Sequence, residues 1–233
     1  GVGVANYMGI PGEDLKGVYT ASEYLAKYNL MSPEDLAQAL PSLRGKRVAV
    51  IGGGNTAIDA VRTAIRLDAK QATIVYRRSE EEMPARAEEI KHAREEGTEF
   101  FNLHNPVEYL GDESGHVTAM RLERMELGAP DESGRRRPVA TGEIITVPVD
   151  EVIICIGYSA STLVTKSMPE LEVNKWGNIV VDEGKKTSMP DVYAGGDIVR
   201  GAATVILAMG DGRRAATSMH QKLSGRIEEG ALV

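Results

Sequence analysis

A short strand followed at once by a glycine turn constrains the fold of this chain more than any other feature. Residues 46–51 (Lys-Arg-Val-Ala-Val-Ile) end in an apolar, β-branched run, and consecutive glycines follow at residues 52–54. Residues 56–67 then place apolar side chains at helical spacing, and residues 73–76 indicate a second strand. Because a strand, a crossover helix and a second strand in this order require parallel pairing, we predict an α/β fold built on a βαβ unit.

The glycine turn has the spacing of a dinucleotide-binding motif. In that motif the first glycine allows the tight turn, the second lets a phosphate approach the backbone, and a small third residue lets helix and strand pack. Gly52, Gly54 and Ala57 fit these roles. Asn55 and Thr56 follow the second glycine, where their side chains and amides can reach phosphate oxygens. We expect these residues to bind a dinucleotide; the alternative is a turn with a structural role only.

Two arginines at the end of the second predicted strand indicate which dinucleotide is bound. Sites selective for NAD(H) place Asp or Glu about 20 residues beyond the turn, where the carboxylate accepts from the ribose 2′-hydroxyl. In this chain that position falls on Arg77, and Arg78 follows. Guanidinium groups bind a 2′-phosphate through bidentate, charge-assisted hydrogen bonds, so we predict a preference for NADP(H). The alternative is a pair of solvated surface arginines.

Charge and cysteine content exclude several other classes of protein. The net charge of −7 does not provide the basic surface of a nucleic-acid-binding protein, and we interpret the basic run at residues 135–137 as a solvated loop. The single cysteine, Cys155, cannot build a disulfide framework, an Fe–S ligand set or a zinc site. No run approaches the ~18 apolar residues of a membrane helix, and no signal peptide is visible. We expect a cytoplasmic protein without nucleic-acid, membrane or metal partners.

The remaining pattern predicts helices at both ends of the chain and strands in its middle. Helices are expected at residues 20–29, 32–40, 84–96 and 202–222. Antiparallel strands, which commonly extend one edge of an α/β sheet, are expected at residues 98–103, 107–110, 117–125 and 142–149. A strand is expected at residues 151–156, a hairpin around Trp176-Gly177, and a strand that ends in a second glycine turn at residues 191–197.

Several segments together resemble one known family. Residues 51–59 (IGGGNTAID), 75–79 (VYRRS) and 82–85 (EMPA) are similar to the small (beta) subunit of NADPH-dependent glutamate synthase and to related enzymes such as dihydropyrimidine dehydrogenase. The similarity extends from residues 8–13 to residues 212–216. It implies a Rossmann-like NADP(H)-binding domain that carries an antiparallel β extension and is inserted in a FAD-binding domain.

The resemblance also implies domain boundaries. Residues 47–157 match the inserted NADP(H)-binding domain. Residues 1–46 match part of the FAD-type domain with its linker, and residues 158–233 match the C-terminal part of that domain. Gly157 ends the segment IICIG, which resembles the strand that returns from one domain to the other, and we expect Gly157 to be a cofactor-binding residue.

Further flavin-binding residues follow from the resemblance. The segment AGGD at residues 194–197 resembles the second flavin motif, in which Gly196 forms the turn and Asp197 accepts from a ribityl hydroxyl. Thr204 and Val205 lie where the family brings a helix N-terminus near the isoalloxazine ring. These residues would bind FAD.

The resemblance implies hydride transfer from NADPH to FAD, for which no side chain need act as a catalytic acid or base. Electrons would then leave through an N-terminal Fe–S portion to a large glutamate synthase subunit or another acceptor. The first flavin motif and the cysteine-rich part of the family have no counterpart in this sequence. We therefore expect the chain to be part of a longer protein, inactive alone, that binds FAD weakly or not at all by itself.

Other functions stay open from the sequence. The chain could be a nucleotide-binding module without redox activity, or a structural subunit that docks a partner through residues 98–149. A thioredoxin-reductase-like enzyme shares the nested domains, but its redox Cys-x-x-Cys lies in the NADP domain, and residues 47–157 contain only Cys155.

Overall fold

The first half of the chain alternates strands and helices, and its middle consists of strands. A computed structural model describes residues 1–31, 42–130 and 134–225. Its strands are β1 (Val2–Ala5), β2 (Val18–Thr20), β3 (Arg47–Ile51), β4 (Gln71–Tyr76), β5 (Glu99–Asn102), β6 (His104–Gly111), β7 (Val117–Pro130), β8 (Arg136–Pro148), β9 (Glu151–Ile154) and β10 (Tyr158–Ala160). Its helices are α1 (Ala21–Leu30), α2 (Asn55–Arg66), α3 (Ala87–Glu95), α4 (Thr162–Ser167), α5 (Asp197–Arg200) and α6 (Val205–Leu223), with a 3₁₀ turn at Glu80–Glu82.

A parallel sheet with the order β2-β9-β3-β4-β5 forms the centre of the chain. Its strands are apolar on both faces, as strands covered on both sides must be. Val48 and Val50 of β3 face a core shared with helices α1, α2 and α3, whereas Ala49 and Ile51 face a second core shared with β6 and β7. This arrangement confirms the predicted α/β, Rossmann-like fold.

The antiparallel extension is a three-stranded sheet, β6-β7-β8, in which β7 and β8 form a long ribbon. The ribbon is longer than the predicted strands because cross-strand pairing continues where β8 is largely exposed and no burial pattern marks it. The basic run at residues 135–137 is therefore not a solvated loop: Arg136 opens β8 and pairs with Pro130 of β7.

The chain divides into two compact units. One unit is Tyr7–Ile156, and the other combines residues 1–6 with residues from Gly157 onward. The later division falls between Ile156 and Gly157, and the expected NADP(H)-type and FAD-type domains stay a prediction. The earlier one lies before residue 47 because β2 pairs with β9 and the buried Tyr24 of α1 packs into the same core as α2.

Some predicted elements begin or end elsewhere. Helix α3 begins at Ala87 instead of residue 84, since a 3₁₀ turn and an extended stretch through Met83 precede it. In the second unit, β1 pairs antiparallel with β10, and the predicted hairpin around Trp176 is reduced to a bridge between Val173 and Ile179. The helix predicted at residues 32–40 lies outside the described residues.

Helix α6 is the longest helix in the described part of the chain, at 19 residues. It begins at Val205, later than the predicted residue 202, because the Thr204 side chain caps it. Within the described ranges, no helix combines the length and the apolar character needed to cross a membrane.

Candidate functional site

The glycine turn lies where the order of the parallel sheet reverses. Strand β3 has β4 on one side and β9, which comes much later in the chain, on the other. Gly52 leaves β3 with a φ of 139°, and a Cβ there would lie 2.3 Å from the carbonyl oxygen of Cys155, which follows β9. Glycine is therefore required at this position. In open α/β sheets, ligands bind beyond the carboxyl ends of the strands at such a reversal.

Gly54 and the first amides of α2 provide space and donors for an anion. A Cβ on Gly54 would meet nothing within 4 Å. In residues 1–31, 42–130 and 134–225, the amides of Gly53, Gly54, Asn55 and Thr56 have no acceptor. A helix N-terminus attracts negative charge, and these amides can donate to it. The turn therefore fits a phosphate group.

Asn55 and Ala57 stabilise the structure around the glycine turn. The Asn55 side chain accepts from the backbone amide of Arg86 at 3.0 Å, so it anchors a neighbouring loop and leaves its own amide for a ligand. Ala57 is fully buried and packs α2 against the sheet. The expected role of Ala57 in packing agrees with this geometry, and the ligand contacts of Asn55 and Thr56 stay a prediction.

Residues 77–86 form a loop, called here the arginine loop, that is fixed against the glycine turn. The carbonyl oxygen of Gly53 accepts from the amide of Ala85 at 3.1 Å. The hydroxyl of Tyr76 donates to the carbonyl oxygen of Glu82 at 2.9 Å, and the Tyr76 ring lies against Gly53. Sequence motifs that are separate along the chain thus form one continuous surface.

The two predicted phosphate-binding arginines have different surroundings. Arg77 is exposed, and among the described residues its side chain has no hydrogen bond or ion pair. Arg78 is only 7% exposed, and its Nε donates to the carbonyl oxygen of Arg136 at 2.8 Å. Arg77 is therefore available to a ligand, whereas Arg78 joins the arginine loop to the ribbon.

Arg136 is a residue of this region that the sequence did not reveal. Its Nε lies 2.6 Å from a carboxylate oxygen of Glu82, and its Nη2 lies 3.0 Å from one of Glu81. Glu82 is buried and also accepts from the hydroxyl of Ser79. The Ser79 hydroxyl and the Arg136 guanidinium hold the pKa of Glu82 below its usual value. No local signal links Arg136 to Glu82, because the contact joins segments 54 residues apart.

The second glycine turn is fixed by a buried carboxylate, Asp211, which the sequence also did not reveal. Gly196 has a φ of 78°, and its amide donates to Asp211 at 3.0 Å. Asp211 is fully buried in α6 and accepts from Arg200 at 2.6 and 2.7 Å and from Lys185 at 2.9 Å. These contacts, Arg200 foremost, hold the pKa of Asp211 far below its usual value.

The other predicted flavin residues lie in the same unit. Asp197 begins α5, and its carboxylate has no partner in the part of the chain that the structure describes. Thr204 caps α6 by accepting from the amide of Leu207, and Val205 is exposed beside it. Gly157 has a φ of 92° and accepts from the amide of Asn6 at 3.1 Å. A ligand role for these residues stays a prediction.

Comparison with known proteins identifies relatives over nearly the whole chain. The family described as pyridine nucleotide-disulphide oxidoreductase matches residues 1–212. The glutamate synthase [NADPH] small chain of Escherichia coli (strain K12) is 40% identical over 227 residues, which cover 93% of this chain and 48% of the relative. The corresponding protein of Azospirillum brasilense is 40% identical over 235 residues, which cover 98% and 48%. The chain thus spans about half the length of these relatives.

Solved structures confirm the fold. Mycobacterium tuberculosis FprA in complex with NADPH has a TM-score of 0.76 and 22% identity, covering 98% of this chain and 64% of that chain. Thioredoxin reductase of T. acidophilum has a TM-score of 0.71 and 24% identity, covering 95% and 63%. The resemblance inferred from residues 51–59, 75–79 and 82–85 is confirmed by the sequence relatives.

Proposed function

Because this chain belongs to the pyridine nucleotide-disulphide oxidoreductase family, we propose that it is a module that binds NADPH and passes hydride to FAD. The observation that supports NADPH binding is the open space at Gly54, which lies beside backbone amides without acceptors among the described residues. A dinucleotide pyrophosphate fits both the space and the donors. The glutamate synthase small chains that the sequence matches support NADPH as the dinucleotide.

Within this proposal the residues of Tyr7–Ile156 bind NADPH. Gly52 shapes the turn, Gly54 and the amides of Asn55 and Thr56 contact the pyrophosphate, and Arg77 contacts the 2′-phosphate. Arg78 contributes by fixing the backbone that carries Arg77, since its own guanidinium donates to the ribbon. The two arginines are therefore not equivalent in this proposal: Arg77 contacts the ligand, and Arg78 positions Arg77.

Replacing Arg77 with alanine is expected to weaken NADPH binding by about 1–3 kcal/mol, the loss of a charged hydrogen bond, and to leave NADH binding unchanged. The reason is that NADH has no 2′-phosphate for this guanidinium to contact. Isothermal titration calorimetry with both dinucleotides measures the difference. Arg66→Ala, which removes an exposed arginine paired with Glu96, is the matched control. Equal losses for NADPH and NADH would show that Arg77 does not read the 2′-phosphate.

We propose that the second unit contributes to FAD binding. Asp197 would accept from a ribityl hydroxyl, and Gly196 would bring the backbone close to the flavin chain. Thr204 and Val205 would place the N-terminus of α6 toward the ring, and Gly157 would contribute to cofactor binding. FAD, when bound, accepts a hydride as a two-electron carrier; the protein positions it and tunes it. No side chain is proposed as an acid or a base.

The electron acceptor and the partner belong to the proposal as well. Electrons would pass through an N-terminal Fe–S portion to a large subunit or another acceptor, and the likeness to glutamate synthase small chains supports a large subunit as the partner. A thioredoxin-reductase-like reaction is disfavoured by Cys155, the single cysteine of the chain, because burial raises the pKa of its thiol well above the usual value. A thiolate nucleophile needs the opposite shift.

Redox activity and simple nucleotide binding can be separated by experiment. The full-length protein is expected to oxidise NADPH with a soluble dye as acceptor and to bleach its flavin absorption when NADPH is added without oxygen. Binding of NADPH without flavin bleaching would instead support a nucleotide-binding module. The variant Asp197→Ala should reduce the flavin content, measured by absorption, and leave the affinity for NADPH unchanged.

A further inference from the structure

The arginine loop contains three glutamates, and each of them pairs with an arginine from another element. Glu80 pairs with Arg94 of α3, and both Glu81 and Glu82 pair with Arg136 of β8. Without these partners, the carboxylates would outnumber Arg77 and Arg78 within six consecutive residues. External arginines therefore balance the negative charge of the loop that carries Arg77.

Of these pairs, the one between Arg136 and Glu82 is the most deeply placed. Glu82 is 7% exposed, so its charge is poorly screened by water. Its pKa is lowered in part by the Ser79 hydroxyl, which would keep it ionised even if Arg136 were absent. The pair between Glu80 and Arg94 is more exposed on both sides, and its charges are screened accordingly.

These observations have a direct consequence for a phosphate that approaches Arg77. A 2′-phosphate carries close to two negative charges and would meet unbalanced carboxylates at Glu81 and Glu82 if Arg136 were missing. A ribose 2′-hydroxyl is neutral and would not be repelled. The charge of Arg136 thus acts more strongly on NADPH, which carries the additional 2′-phosphate, than on NADH.

We propose that Arg136 is a positioning and selectivity residue that sets the preference for NADPH over NADH from the ribbon. It does so by offsetting part of the negative charge of Glu81 and Glu82 through its ion pairs with them, and its carbonyl oxygen accepts from Arg78 beside them. The inference rests on the proposed NADPH site, which it extends to a residue that contacts no substrate. The ribbon thereby becomes part of the specificity of the site.

The experiment measures the dissociation constants of NADPH and NADH for the chain and its variants. Arg136→Leu is expected to weaken NADPH binding about tenfold and to leave NADH binding within about twofold, because the carboxylates of Glu81 and Glu82 would then repel the 2′-phosphate without the opposing positive charge of Arg136. The loss should shrink at high salt, because exposed charges are then screened. Adding Glu81→Gln and Glu82→Gln to Arg136→Leu should restore NADPH binding.

Matched variants decide between electrostatics and a merely structural effect. Arg136→Lys keeps the charge and should keep the preference. Arg124→Leu removes an arginine that pairs with Glu143 on the same ribbon, and it should change neither dissociation constant. Equal losses for both dinucleotides, or no rescue by the glutamine substitutions, would overturn the inference.

The outcome for the unchanged chain separates this inference from the proposed function. A chain that binds NADPH no more tightly than NADH would overturn the proposed NADPH site itself. A chain that prefers NADPH, with the same preference in Arg136→Leu, would leave that site standing and overturn only the role of Arg136. Thermal unfolding of each variant confirms that the comparison is made between folded proteins.

Discussion

Replacing Gly54 with valine is expected to weaken NADPH binding at least about 100-fold and to change the free energy of unfolding by no more than about 1 kcal/mol. The Cβ would enter open space, so no protein atom must move to admit that atom. The backbone at Gly54 has a φ of −88° and a ψ of 174°, which a β-branched residue adopts readily. The valine would instead occupy the space proposed for the pyrophosphate, whose charged hydrogen bonds to the turn would be lost.

Gly52 gives the contrasting result and serves as the matched variant. Gly52→Ala would place a Cβ 2.3 Å from a backbone oxygen at a φ of 139°, so we expect a loss of about 2–4 kcal/mol in the free energy of unfolding. Calorimetric titration with NADPH and unfolding in urea measure the two effects separately. If Gly54→Val bound NADPH as tightly as the unchanged chain, the turn would have a structural role only.

Replacing Asp211 with asparagine is expected to destabilise the unit that contains α6 by about 3–5 kcal/mol. Asp211 is fully buried, and an amide would leave Lys185 and Arg200 without their charge partner. Asp191→Asn is the matched control, because Asp191 pairs with Lys222 at the surface and should contribute less than about 1 kcal/mol. Urea unfolding followed by the fluorescence of Trp176, which lies in the same unit, measures both variants. A loss no larger than that of the control would contradict the stabilising role of Asp211.

The lowered pKa of Asp211 also determines the pH dependence of this contribution. The folded state binds the proton of Asp211 more weakly than the unfolded state, whose aspartate has the ordinary pKa of 3.8. The stabilisation is therefore complete above that value and is lost as the pH falls below it. The difference in unfolding free energy between the unchanged chain and Asp211→Asn should accordingly be smaller at about pH 3 than at about pH 7.

Local sequence signals were sufficient for the parts of the site that depend on neighbouring residues. The roles of Gly52 and Gly54 follow from the turn between a strand and a helix, which a short window of sequence contains. The parallel sheet follows from the same window, since a βαβ unit allows no other pairing. The fold confirms the parallel sheet, and the ligand roles of Gly52 and Gly54 stay a prediction.

Contacts between distant segments were not accessible in the same way. Arg77 and Arg78 are adjacent and chemically identical, yet Arg78 is buried because the ribbon covers it, and only Arg77 is exposed. Arg136 looked solvated because its partner Glu82 lies far away in sequence. Asp211 lies between two glycines of a long helix, where nothing local indicates that Arg200 and Lys185 converge on it.

The burial of β3 on both faces has a consequence for how the parallel sheet selects its alignment. A strand with one apolar face is aligned by that face, because a slip of one residue exposes it to water. In β3 a slip would exchange Val48 and Val50 with Ala49 and Ile51, and each face would still be apolar. The register of β3 is instead determined by the close contact of Gly52 with Cys155, since a side chain at that position would collide with the neighbouring backbone. Gly52, which begins the phosphate-binding turn, thus also fixes the register of β3 in the sheet.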